Sequence, residues 1–150
     1  MLTSTPSGLQ EIIATFGRWN DPDFEEKNIV LIELPYPLIY DGRPVKRARC
    51  HKLLVENFHL AFRNIKSAGM QNEARNYAGI YAVRSVRASA KVSTHAWGIA
   101  IDLEPIRYPL GSSNRFPDQV IEAFKKAGFF YGGDFKGRKD PMHFQFATDY

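Results

Sequence analysis

A chain of 150 residues with 44% hydrophobic and 24% charged residues has the make-up of an ordinary folded protein, which argues against a disordered chain and against a membrane-embedded one. Its net charge of +4 at pH 7, with a pI near 9.2, favours approach to an anionic polymer, yet no nucleic-acid-binding motif accompanies the charge. The single cysteine, Cys50, excludes an intramolecular disulfide and reads as a small buried apolar residue.

The length fits one domain covering 1–150. Residues 1–7 lack a basic start followed by an apolar stretch, so no secretory signal is expected and synthesis should be cytoplasmic. Apolar spacing and Gly17 predict a short helix over 8–16. β-Branched residues predict a strand over 29–34, after which Pro35 and Pro37 make the chain extended and irregular. The main core helix is expected over 51–67, where Leu53, Leu54, Phe58, Ala61, Phe62 and Ile65 recur at helical spacing. A second helix is expected over 118–127, with Pro117 at its start, Lys125 and Lys126 in its last turn and Gly128 beyond it. Strands over 80–86, 97–103 and 142–147 complete an α+β domain. It should be a small, mainly antiparallel sheet with helices packed on one face and the functional site on the other.

Ser93-Thr94-His95-Ala96-Trp97-Gly98-Ile99-Ala100-Ile101-Asp102 and Asp140-Pro141-Met142-His143 carry the chemistry. Side chains alternate along a strand, so Ile99, Ile101 and Leu103 share one face and Gly98, Ala100 and Asp102 the other. Likewise Met142, Phe144 and Phe146 oppose His143, Gln145 and Ala147. Asp102 lies within an apolar run, where an unpaired carboxylate is costly, so it should be paired or metal-bound. A catalytic zinc needs three protein ligands and one open position; His95, Asp102 and His143 can supply the three. Asp140 is then free to act as a base, aimed by the stiff residue pair it forms with Pro141.

Ser93-x-His95-x-x-Gly98-x-Ala100-x-Asp102 with Asp140-x-x-His143 resembles the D-alanyl-D-alanine carboxypeptidase family of zinc peptidases, which includes bacterial D,D-peptidases and phage L-alanyl-D-glutamate endolysins. The resemblance implies a D-Ala-D-Ala metallopeptidase or hedgehog-like fold, one Zn²⁺ per chain on His95, Asp102 and His143, and Asp140 as the catalytic acid/base. It further implies an upstream arginine that stabilises the substrate carbonyl, Arg84 in first place and Arg87 in second. Ser93 is expected to support the site rather than act as a nucleophile. Many members have Glu directly after the His-Phe pair where this chain has Gln145, here expected among the substrate-binding or metal-supporting residues. Others carry Tyr-Arg-Pro where this chain has Val83-Arg84-Ser85.

The implied activity is hydrolysis of a peptidoglycan stem-peptide amide, first of all between L-alanine and D-glutamate, by an endolysin-like monomer that does not insert into membranes and reaches the wall after holin-type release. Removal of terminal D-alanine by a D,D-carboxypeptidase is the alternative within the same chemistry; a non-catalytic cell-wall-binding or phage structural module is the alternative outside it. His51 and His59 lack a carboxylate at ligand spacing and are expected to be packed or surface residues. Trp97 and Tyr131 are expected to pack, and Lys136, Arg138 and Lys139 to lie on a solvated loop that could steer an acidic peptide.

Overall fold

The computed structural model describes residues 1–84 and 90–150. Helix α1 covers Gly8–Phe16 and ends at Gly17, whose positive φ of 92° turns the chain away. A short helix α2, Phe24–Asn28, leads into a long hairpin of β1 (Ile29–Tyr40) and β2 (Arg43–His51). Asp41-Gly42 closes this hairpin with φ of 50° and 73°, the positive values that a two-residue turn matching strand twist requires. β1 runs past the expected end at residue 34. The prolines interrupt rather than end it: the register shifts between Glu33 and Leu38, because Pro35 and Pro37 have no N–H to give to the ladder.

α3 covers Val55–Ser67, later than the expected start at 51, because His51 still closes β2 and Lys52–Leu54 form a 3₁₀ turn between them. The helix buries Phe58, Ala61, Phe62 and Ile65. β3 (Tyr77–Gly79), β4 (Ala100–Leu103), α4 (Asp118–Lys126), β5 (Phe130–Tyr131) and β6 (His143–Gln145) complete the chain. The second sheet has the antiparallel order β3-β4-β6-β5. The molecule is thus α+β, with two small antiparallel sheets among the described residues where one was expected. No described helix is long and apolar enough to cross a membrane.

Two strand expectations need correction. Of the strand expected over 80–86, residues 80–84 form none and 85 and 86 lie outside the described residues; the strand found lies upstream, at Tyr77–Gly79, where it pairs with Leu103 and Asp102. Beyond it the backbone bonds to a loop instead: Ala82 N–H donates to His95 O and Ser93 N–H to Arg84 O. The strand expected over 97–103 begins only at Ala100, because Thr94–Trp97 form a 3₁₀ turn ended by Gly98 at φ 71°. No side chain is tolerated there. A Cβ on Gly98 would lie 2.9 Å from His51 N, whose N–H donates to Gly98 O and ties the hairpin to the site loop.

The core is aromatic and sits between the four-stranded sheet and α3 and α4. Phe144 stacks on Phe124 of α4 at 4.0 Å and on Tyr131 at 4.8 Å, so the Ile101 and Phe144 face of the sheet is the helix-covered one. Trp97 is buried and its Nε1–H donates to Gly17 O, so it packs as expected. Cys50 is buried, and burial pushes its thiol up to about 12, as an inert apolar side chain requires.

His51 is a packing histidine with a measurable consequence. Its Nδ1 accepts from Leu53 N–H and its Nε2–H donates to Phe16 O, a pairing only the neutral ring satisfies. Burial pushes its pKa from 6.5 down to about 4. A folded-state pKa below the unfolded one gives stability that is complete above 6.5 and lost as pH falls towards 4, roughly 3 kcal/mol in all. His51→Gln removes that pH-dependent part. The stability gap between wild type and variant, read from denaturant melts, should shrink steadily over this interval; a constant gap would rule out His51 as the titrating group.

Candidate metal centre

Pairing of β4 with β6 places Asp102 directly opposite His143 on the sheet face away from the helices, as the alternation of the two segments predicts. His95 joins them from the 3₁₀ turn rather than from a strand. Ser93 caps that turn, its hydroxyl accepting from His95 N–H, so Ser93 and His95 are related as cap and helix and not as strand neighbours. The ligand atoms of His95, Asp102 and His143 lie within 4.8 Å of one another, and all three residues are buried. His95 Nε2 is 3.1 Å from Asp102 Oδ2, and His143 Nδ1 is 2.9 Å from Asp102 Oδ1.

The hydrogen bonds define which nitrogens face the cluster. His95 Nδ1 sits 2.7 Å from the carbonyl oxygen of Ile80, which only accepts, so the ring proton is on Nδ1 and Nε2 carries a lone pair. Nε2 is buried and makes no hydrogen bond among the described residues despite its closeness to Asp102. A lone pair facing a carboxylate oxygen is repulsive unless a cation lies with them, and this donor set of two imidazoles and one carboxylate fits a metal ion such as Zn²⁺. Three protein ligands leave a coordination position open, which a closed structural zinc would not.

Burial alone would raise the Asp102 carboxyl, but positive charge beside it, on the His95 and His143 rings when protonated, outweighs burial and holds the group far below the usual carboxylate range. Burial disfavours a charged His143, yet its hydrogen bond and charge pairing with Asp102 push its pKa up. Arg84 donates to Asp102 Oδ2 at 3.1 Å and lines the same cavity; Arg87 lies outside the described residues. Asp140 stands beside the cluster, its Oδ2 3.9 Å from His143 Nδ1. Burial pushes its pKa up, and its Oδ1 is buried without a hydrogen-bond partner among the described residues. That is the environment of a carboxylate kept basic enough to take a proton.

A cavity of about 470 Å³ opens over these groups. Lys136 and Arg138 line it, as does Lys91, which the motif did not single out; its ammonium lies 3.8 Å from the centre of the Tyr150 ring. Lys139 does not reach the cavity wall and instead donates to Phe135 O. His51 and His59 stay apart from the cluster, the latter against Glu33 O.

Several supporting residues escaped the sequence reading because their partners are far along the chain. Tyr131 hydroxyl donates to Pro141 O, pinning the turn that aims Asp140. Gly132 allows that turn to come close: its carbonyl accepts from Asp140 N–H, and a Cβ there would lie 2.4 Å from Asp140 O and 3.0 Å from His143 Cβ. Gly132→Ala should therefore cost about 1–3 kcal/mol of stability and weaken metal retention, by shifting Asp140 and His143 together. Thermal melts paired with metal titration check this, and wild-type values in both would mean that the turn yields freely. The Gly-Gly pair was visible in the sequence, but its partner in the fold was not.

No curated protein matches the chain. Residues 87–146 match a family model described as D-alanyl-D-alanine carboxypeptidase. This segment contains His95, Asp102, Asp140 and His143, the residues that carried the resemblance. Residues 87–146, which build most of the site, are thus similar to the D-alanyl-D-alanine carboxypeptidase family of peptidases.

Proposed function

We propose that this peptidase hydrolyses an amide bond in the peptidoglycan stem peptide, in first place that between L-alanine and D-glutamate, in the manner of a phage endolysin. The observation that carries the proposal is the buried His95–Asp102–His143 cluster with Asp140 beside it in one cavity, its Oδ1 without a hydrogen-bond partner among the described residues. His95, Asp102 and His143 would hold Zn²⁺, which when bound would supply Lewis acidity towards water and the scissile carbonyl. Asp140 takes the proton from the attacking water and delivers it to the leaving amine. Arg84, with Arg87 as second choice, faces the carbonyl oxygen as charge develops on it.

Lys91, Lys136 and Arg138 around the cavity favour an acidic peptide over a neutral one, which supports a bond next to D-glutamate. All described groups come from one chain, so a monomer suffices. Access to the wall follows release from the cell through a holin-type pore. The family description favours a second outcome, removal of terminal D-alanine.

Mass spectrometry of purified peptidoglycan after incubation with zinc-loaded protein tests this, with His143→Ala as control. New D-glutamate amino termini are expected. Loss of single D-alanine residues would replace the endopeptidase assignment with the carboxypeptidase one. No zinc-dependent product would overturn both and leave a wall-binding module.

A further inference from the structure

Gln145 lies on β6 two residues beyond His143, on the same face. Its Nε2 is 3.2 Å from the carbonyl oxygen of Ala147 and 3.3 Å from that of Tyr150. Two carbonyls can only accept, so the amide nitrogen must face them and Oε1 must face the other way. There Oε1 accepts from the Thr94 hydroxyl at 3.0 Å and lies 2.9 Å from His143 Nε2. An amide oxygen in turn can only accept, so Nε2 of His143 carries the proton and Nδ1 points at Asp102.

The carbonyls that orient Gln145 are themselves held. Tyr150 hydroxyl donates to Val92 O, and its ring meets Trp97 edge-on at 5.9 Å. Thr148 N–H donates to Pro6 O, and Gly8 N–H donates to Thr148 O. Residues outside the matched segment therefore reach into the site through one side chain.

We propose that Gln145, clamped by the Ala147 and Tyr150 carbonyls, is a positioning residue that fixes the His143 ring with Nδ1 towards the metal. A glutamate here would keep the acceptor for His143 but set its second carboxylate oxygen against two carbonyls. The amide is thus the form that this closing turn requires. The proposal rests on His143 being a metal ligand and is independent of which peptide bond is cleaved.

Proton–nitrogen correlation spectra of the histidine rings in the zinc-loaded protein read the tautomer without any substrate. His143 should carry its proton on Nε2 in the wild type and in Gln145→Glu, the latter with lower thermal stability. Gln145→Leu should mix the tautomers and bind zinc about 10–100-fold more weakly, read by competition with a chromophoric chelator. A purely structural role would lower stability in both variants and leave the tautomer alone, which overturns the proposal. A proton on Nδ1 in the wild type also overturns it, whether or not Gln145→Leu folds. Failure to bind zinc at all overturns it together with the ligand assignment, whereas failure to digest peptidoglycan touches only the proposed substrate.

Discussion

Asp140→Ala is expected to keep its metal and lose about 10²–10⁴-fold in turnover, the range set by removing a positioned general base. Asp140 stands outside the His95–Asp102–His143 cluster, so the three candidate ligand side chains survive the truncation. What disappears is a carboxylate whose pKa burial has raised and whose Oδ1 has no hydrogen-bond partner among the described residues. A buried acceptor left idle in the resting protein costs stability, and it is retained where substrate or water completes it. Metal analysis and hydrolysis rates on the same preparation separate the two effects. An active variant would remove Asp140 from the proton-transfer role, and loss of metal would make it a ligand instead. Asp140→Asn keeps the shape and should be as inactive, since an amide takes no proton.

His143→Ala should lose both metal and activity. The ring supplies one of only two imidazoles in the cluster and sits directly across the sheet from Asp102. Without it Asp102 keeps His95 and Arg84, two groups that do not replace a third ligand. The clearest readout is thermal. A ligand that binds only the folded state stabilises it by about 4 kcal/mol at about 1,000 times its Kd, so added zinc should raise the wild-type melting temperature. The variant should melt at the same temperature with and without zinc. An equal zinc-induced rise in both proteins would sink the assignment of His143 as a ligand.

Much of the site was legible because its residues obey short-range rules. Period-two alternation put Asp102 and His143 on the faces they occupy, and the register Asp102↔His143 then set them side by side. Helices α1, α3 and α4 were visible from apolar spacing and their terminal residues, with the start of α3 displaced by the end of β2. The second hairpin strand was missed. Arg43–His51 is basic and largely solvent-facing, so it carries no alternating apolar pattern; Asp41-Gly42 was the remaining signal for it. The strand expected from residue 97 begins only at Ala100, because a capped 3₁₀ turn and a short strand share the same few residues of sequence.

The sequence by itself determined the chemistry of this protein: which residue types stand at which intervals, and hence two imidazoles and two carboxylates in peptidase order. Those choices are local, and a motif of fixed spacing preserves them. Only the tertiary structure decided how the groups are protonated and aimed. The Ile80 carbonyl turns His95, the Ala147 and Tyr150 carbonyls turn Gln145 and through it His143, and Tyr131 with Gly132 brings Asp140 alongside. Each of these partners is a backbone group or an aromatic hydroxyl brought in by folding. Every residue except proline offers the same backbone donor and acceptor, so no spacing in the sequence marks which of them will meet.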